Sequence, residues 1–385
     1  MSTFNSKIPF SKPALGESDI EALIQAARSG SIGGNGAITK ELHTAFSKLY
    51  PASHSIPTTS CSDALELSME SLRIGPGDEV IVPSFSFPST ANAVVRERAN
   101  CVFADIKQDD LNIDPQHIES LITSRTRGIL VVHYAGVSCD MDAIRQIAKK
   151  HGLFVVEDAA QGIGAFWGDE PLGLVSDAGC ISFHVTKNLG CGEGGVFLTR
   201  DQGLFHTAEI IAEKGTNRAA FIRGQVDKYT WVDIGSSYIL SDLLGALLLS
   251  QLKRVKEITD DRLHTWEWYR QQLADLSRSG EVQLVKPHAK AIHNGHIFYV
   301  LLDPQRRDSI LDYMQKNQVQ ATTHYQPLHA SPFARREIYS GKTVPSLPIT
   351  ELVAQSILRF PIYANMTQAE KERVVEVFLQ ALKET

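Results

Sequence analysis

The chain reads as an α/β protein: a large unit built on a mostly parallel but mixed sheet covered by helices, then a smaller α+β unit. Three observations predict this. Short Val- and Ile-rich runs alternate with helix-period segments from about residue 60 to about residue 200. A long helical pattern follows, from Ser241 to about Leu276. A second, shorter set of strand and helix patterns then closes the chain.

Taken in order, the first nineteen residues (MSTFNSKIPFSKPALGESD) hold no long apolar stretch and predict an irregular arm without a signal peptide. Asp78 to Val82, Cys101 to Ile106, Gly128 to His133 and Leu153 to Val156 are the β-rich runs. Between the last two, Met141, Ile144, Ile147 and Ala148 recur at helical spacing behind an Asp140 cap. Cys180 to Phe183 and Val196 to Thr199 add strands without long crossovers, which makes the sheet mixed. The pattern from 241 to 276 predicts one long helix bridging two domains, 1–250 and 251–385. Beyond it come strands at 296–302 and 319–325, a helix near 306–317, and a terminal helix with a Thr367/Glu370 capping box. That last helix carries Val374, Phe378 and Ala381 on one face.

With 385 residues, 43% of them hydrophobic and 21% charged, the chain has the composition of a globular protein. A net charge of -6 gives no support to a nucleic-acid or acidic-membrane partner, and no apolar run is long enough to span a bilayer. Five cysteines (61, 101, 139, 180, 191), without a CxxC pair, argue against a disulfide framework and a structural metal; reduced thiols in the cytoplasm are the expectation.

Four segments carry chemistry. In ISFHVTKNLGCGEGG (181–195) a strand runs into Lys187 and then a glycine-rich turn, placing an amine beside Ser182 and Thr186 where it can condense with an aldehyde. A solvated loop lysine is the alternative. In FVVEDAAQ (154–161) an apolar strand ends on Asp158 at the edge where α/β sheets place ligands; a simple helix cap would look the same. In PTTSCSDALE (57–66) small hydroxylic residues precede a helix, which suits a phosphate or ordinary capping by Ser60 or Ser62. In PSFSFPSTAN (83–92) two phenylalanines sit at a strand-to-helix turn, for stacking on a flat ring or for core packing.

Together, in this order, these segments resemble the DegT/StrS-type nucleotide-sugar aminotransferases, of the aspartate-aminotransferase fold (fold type I of pyridoxal-phosphate enzymes). The resemblance runs from GSIGGNG (30–36) to HYQPLH (324–329). It implies pyridoxal 5′-phosphate as cofactor, a nucleotide-linked keto-sugar and L-glutamate as substrates, and a homodimer with shared sites. Carried over, Lys187 is the Schiff-base lysine and proton shuttle, and Asp158 the partner of the ring nitrogen. Gln161 meets the ring hydroxyl and Phe87 stacks on the ring. Ser182, Ser62 and the backbone near Cys61 form the phosphate cup. Ser237 stands where the family more often has an asparagine that reaches the partner's phosphate, and Cys191 where it has a glycine. His324, Tyr325 and His329 fall in a segment that approaches the substrate, while His184 shapes the pocket. Segments 132–142, 213–218, 223–231 and 233–238 further resemble the branch that converts TDP-4-keto-6-deoxyglucose to TDP-4-amino-4,6-dideoxygalactose. Lysine at 187 argues against the related dehydratases, which carry histidine there; a non-catalytic regulator that kept the fold is the other competitor.

Overall fold

The computed structural model describes residues 7–385. The first six positions of the expected arm lie outside the described residues. The rest of the arm is irregular to Gly16, apart from a bridge between Ile8 and Val319, and a helix then runs Glu17–Ser29.

The strands of the large sheet are β1 (His54–Thr58), β2 (Glu79–Pro83), β3 (Asn100–Ala104), β4 (Thr126–Val132) and β5 (Phe154–Asp158). A two-residue pair, β6 (Phe166–Trp167) and β7 (Glu170–Pro171), precedes β8 (Ala178–Ser182) and β9 (Gly195–Thr199). Seven of these form one sheet in the order β1-β9-β8-β5-β4-β2-β3. Only β9 runs against the rest: β3, β2, β4, β5 and β8 pair in parallel, and β9 pairs antiparallel with both β8 and β1. Strands buried on both faces need apolar side chains throughout, which is why runs such as GILVV lack polar alternation. The consequence for function is directional. β1, β2, β5 and β8 all end at one edge, so the segments that follow them converge there.

Behind this sheet come β10 (Gln283–Leu284), β11 (Ala291–Ile292), β12 (Phe298–Leu301) and β13 (Ile357–Phe360). β10, β12 and β13 make a three-stranded antiparallel sheet. The terminal helix, Gln368–Glu384, packs on it, with Val374, Phe378 and Ala381 buried and the Phe378 ring 4.9 Å from Phe360. Burying one such phenylalanine contributes about 2–3 kcal/mol. The Thr367/Glu370 capping box is formed, with Thr367 Oγ1 accepting from the Glu370 amide at 3.2 Å and Glu370 Oε2 accepting from the Thr367 amide at 2.8 Å.

Two expectations are corrected. The pattern from 241 to 276 is not one helix but three: Asp242–Leu252, Val255–Gln272 and Ala274–Ser279. The first break falls at Arg254 (φ -109°, ψ 12°), whose guanidinium is drawn to the Ala14 carbonyl and Asp19. Residues 319–325 form no strand; their ladder pairing is limited to the isolated bridges Ile8–Val319 and Thr322–Arg359. The neighbour of β12 is instead β13, a run the sequence reading passed over. No helix among the described residues is long and apolar enough to cross a membrane.

Candidate active site

β8 is fully buried and pairs Ser182 with Gly195 of β9. The loop between them folds back on itself through the Val185 amide on the Gly192 carbonyl (2.9 Å) and the Cys191 amide on the Phe183 carbonyl (2.9 Å). That doubled loop holds Lys187 at the wall of a cavity of about 730 Å³ at the carboxyl edge of the sheet. The cavity brings together Cys61, Ser62, Phe87, Asp158, Gln161, Ser182, Lys187, His324 and Tyr325. These are residues from 57–66, 83–92, 154–161, 181–195 and 324–329, spanning 264 positions from Cys61 to Tyr325.

Burial pushes the Lys187 amine below its ordinary range, and Arg359 adds to the effect, against the opposing pull of Cys61 and Asp158. Asp158 is moved the other way by burial, against donors that favour its charge. Thr90 Oγ1 donates to its Oδ2 at 2.7 Å, and the Ala160 amide donates to Oδ1 at 3.2 Å. Ser86 Oγ lies 2.6 Å from Thr90 Oγ1 and continues the chain. No helix begins directly after Asp158, so it is not a cap; its carboxylate is held by these donors at the cavity wall.

Gln161 is fixed at both ends of its amide: Oε1 accepts from the Ala135 amide (2.6 Å) and Nε2 donates to the Tyr325 hydroxyl (3.0 Å). Gly136, at φ +76°, makes the turn beside it, where a Cβ would lie 1.9 Å from Asn294 Oδ1. Asn294 in turn donates to the Gln161 carbonyl at 2.7 Å.

The helix Cys61–Ser71 points its N-terminus into the cavity. Ser60 caps it, accepting from the Asp63 amide at 3.1 Å, which leaves Ser62 free to meet Ser89 at 2.6 Å. Ordinary capping and a hydroxyl cup are therefore divided between the two serines. Gly195 lets β9 lie against this turn: its Cβ would stand 2.5 Å from the Ser60 carbonyl. The glycine clears room for backbone here. Gly192, at φ +92° with open space around it, serves the turn itself.

The opposite wall comes from the C-terminal part of the chain. His324 and Tyr325 stack at 3.6 Å, and Tyr134 Oη lies 2.6 Å from His324 Nδ1. Burial pushes both His324 and His296 below the ordinary imidazole range, so they are neutral near pH 7. His184 also lines the cavity, with Nδ1 2.8 Å from Thr186 Oγ1.

Two expected residues are elsewhere. His329 is buried below the site, its Nδ1 2.6 Å from Ser84 Oγ and its Nε2 3.2 Å from Glu351, so it packs segments together and does not face the cavity. Ser237 is exposed and outside the cavity lining of its own chain. The sequence reading missed Thr90, Arg262, His296 and Arg359, all at or against the site. Thr90 sits in a segment already singled out for its aromatics; nothing local marks the other three. No group of three metal-ligating side chains occurs among the described residues.

A buried amine whose pKa is pushed below its ordinary range, a fixed carboxylate, and a hydroxyl-lined helix N-terminus are the parts needed to hold a phosphorylated aldehyde with a basic ring nitrogen. Comparison with known proteins agrees. DesV of S. venezuelae superposes with a TM-score of 0.90 at 29% identity, covering 99% of this chain and 100% of that one. The aminotransferase TlmJ of Streptoalloteichus hindustanus gives 0.89 at 27%, covering 98% and 99%. PseC of Helicobacter pylori, an aminotransferase of pseudoaminic acid biosynthesis, shares the fold at 0.90 and 23% identity, covering 99% and 100%. The model of the DegT/DnrJ/EryC1/StrS aminotransferase family matches residues 13–379. The chain belongs to that family of pyridoxal-phosphate-dependent sugar aminotransferases.

Proposed function

We propose that this enzyme moves the amino group of L-glutamate to a nucleotide-linked keto-deoxysugar, TDP-4-keto-6-deoxyglucose, giving TDP-4-amino-4,6-dideoxygalactose for cell-surface polysaccharide. The observation that carries the reading is one cavity that holds a pKa-depressed lysine, Lys187, and a hydrogen-bonded buried carboxylate, Asp158. Its volume of about 730 Å³ lies within the range of cofactor and substrate sites and leaves room beyond a single ring. The finer choice of sugar is supported by the resemblance of segments 132–142, 213–218, 223–231 and 233–238.

The donor set fits pyridoxal phosphate. Ser62, Ser182 and the amides at the start of the helix Cys61–Ser71 would hold the phosphate, Gln161 would meet the ring hydroxyl, Phe87 would cover the ring, and Asp158 would pair with the ring nitrogen. When bound, the cofactor supplies an electron sink for the pair left when the donor's α-proton departs. Lys187 Nζ takes that proton, a role its lowered pKa favours, and in the second half of the cycle the same amine delivers a proton to the sugar carbon. Asp158 would keep the ring nitrogen protonated, and a cation placed there would offset the cost of burying the carboxylate. In this reading residues 1–250 hold the cofactor and residues 251–385 close over it with His324 and Tyr325.

The protein works as a cytoplasmic homodimer. Its five thiols are free and buried. The stretch from Phe221 to Ile234 exposes Ile222, Tyr229, Trp231 and Ile234, an apolar surface suited to a second copy. Ser237 follows that stretch directly and reaches the partner's phosphate. Absorbance of the purified protein tests the reading. A cofactor band that bleaches with glutamate, fails to do so in Lys187→Ala, and is restored by TDP-4-keto-6-deoxyglucose in preference to other keto-sugars is the expected result. A band indifferent to glutamate would instead mark a non-catalytic binder.

A further inference from the structure

The residue after Lys187 ties the tip of its loop to the C-terminal part of the chain. Within the loop the Lys187 amide donates to the His184 carbonyl at 2.9 Å, and the two pairs described above close its base. Asn188 then turns inward and is 2% exposed. Both ends of its amide are engaged by the segment 293–296 (HNGH): Nδ2 donates to the Asn294 carbonyl at 3.1 Å, and Oδ1 lies 2.8 Å from His296 Nδ1. The first contact fixes which end of the amide is oxygen, so Nδ1 of His296 carries the hydrogen and donates it. The same short segment also holds Gln161. Asn294 Nδ2 donates to the Gln161 carbonyl at 2.7 Å and to the Ile163 carbonyl at 2.9 Å, while its Oδ1 accepts from the His296 amide at 3.0 Å. From behind, Arg262 of the helix Val255–Gln272 donates Nε to the Gly295 carbonyl at 3.2 Å and Nη2 to the His296 carbonyl at 2.7 Å. Gly295, at φ +63°, lets the turn lie on that helix: a Cβ there would stand 3.0 Å from the Arg262 carbonyl. Leaving one such buried group unpaired costs about 1–3 kcal/mol, so the turn grips the Lys187 loop and the Gln161 loop together.

The geometry points to Asn188 as a positioning residue that, through its contacts with His296 and Asn294, aims the free Lys187 amine at the donor's α-proton. The inference rests on the aminotransferase reading above. While Lys187 is bonded to the cofactor, the covalent bond itself places Nζ, and a loose loop is tolerable. Once the donor has displaced it, that bond is gone, and only the backbone beneath Lys187 sets where Nζ can reach. The peptide joining residues 187 and 188 is planar and stiff, with Cα atoms about 3.8 Å apart, so a displaced Asn188 carries Lys187 with it. A misplacement of about 1 Å in such a reach can cost on the order of 10²-fold in rate. Asn188 is not part of the cavity lining, so a change there acts on the chemistry through Lys187 and not by touching a substrate. Because Asn294 also fixes Gln161, the turn sets the amine and the opposite side of the ligand from one frame.

The test compares the cofactor-loaded enzyme with Asn188→Ala, His296→Leu and His296→Asn, the last of which keeps an N–H donor in the place of Nδ1. Bleaching by saturating glutamate, with and without deuterium at the α-carbon, reports proton transfer. α-Methyl-L-glutamate, which has no α-proton to lose, is titrated by the cofactor's absorbance and reports binding without turnover. N188A and H296L should each slow saturated bleaching on the order of 10²-fold, with the deuterium effect rising as proton transfer becomes limiting. The affinity for α-methylglutamate should stay within about 3-fold of wild type, as for an interaction that matters only in the transition state. H296N should recover most of the lost rate. The double variant N188A/H296L should be no slower than the slower single one, because both cut the same link. An unchanged bleaching rate in N188A, or losses that multiply in the double variant, would overturn the proposal. So would weakening of α-methylglutamate as large as the loss of rate, which marks a collapsed site and not a misaimed amine. If N188A does not fold, equal rates in H296L and H296N overturn it. Wild-type enzyme that glutamate does not bleach would overturn the donor reading above, and this inference with it.

Discussion

Replacing Lys187 in the cofactor-free protein changes stability with a sign that burial dictates. The folded amine has a pKa below its ordinary 10.5. Between the folded value and 10.5 the unfolded chain binds more protons, so wild-type stability rises with pH through that window. Below it the whole penalty is present; above 10.5 it is gone. Lys187→Met removes the penalty, so the variant should melt above wild type at pH 7 and lose that advantage as pH approaches 10. Thermal melts of both cofactor-free proteins across this range check it, and a gap that widens with pH would reject the buried-amine reading. Asp158→Asn should slow bleaching by glutamate on the order of 10²-fold, as for loss of a preorganised electrostatic partner in an enclosed site. An unchanged rate would remove Asp158 from the chemistry. At this scale the convergence of Lys187, Asp158 and Gln161 was legible because each lies at or a few residues past the end of a strand in a recognisable short segment. Arg359 was not: only the fold brings it to the cavity wall with Lys187, 172 positions earlier.

The turn Ser60–Ser62, the helix Cys61–Ser71 and β9 depend on one glycine. At Gly195 an added Cβ meets backbone, the Ser60 carbonyl at 2.5 Å and the Cys61 amide at 2.6 Å, and neither can swing aside as a side chain would. Gly195→Ala should therefore cost about 1–3 kcal/mol and displace the hydroxyl cup. The protein should then lose phosphate-bearing cofactor on dialysis. Gly192→Ala meets only its positive φ, in open space, and should lower the melting temperature while the cofactor stays bound. Comparable cofactor loss in both variants would show that loop strain, not the cup, controls retention. The same dependence on distant partners explains where pattern reading failed among the elements. Val- and Ile-rich runs of the central sheet declare themselves because both faces are buried. The run 319–325 has strand composition, yet only Val319 and Thr322 find bridging partners, and His324 and Tyr325 turn to the cavity. β1 escaped notice because Pro57 interrupts a short, partly polar run. The break at Arg254 has no glycine or proline to announce it; its cause is a contact with the arm, some 240 positions away in sequence.

For the whole molecule, the apolar stretch ending at Ile234 decides between a self-sufficient protomer and a pair. Trp231 is 76% exposed and Ile234 78%, on a segment tethered through Thr216 and by the Arg73–Asp233 ion pair, so these side chains are presented to solvent on a held frame. Surface substitutions at such positions typically change the stability of a lone protomer by about 0.5 kcal/mol or less. Any large effect must then come through association. If the protein is the proposed homodimer, the double variant Trp231→Ser, Ile234→Ser should sediment as the 42.4 kDa protomer and wild type at twice that mass. On the proposed role of Ser237 it should also hold its cofactor more weakly, because separating the copies would withdraw Ser237 from the neighbouring phosphate cup. Ser237→Ala separates the two effects: the pair should persist while cofactor affinity falls by roughly 2- to 15-fold, the range expected for one lost neutral hydrogen bond. Wild-type protein that sediments as a single protomer with full cofactor would overturn both the pairing and the role of Ser237. The apolar stretch would then need another occupant.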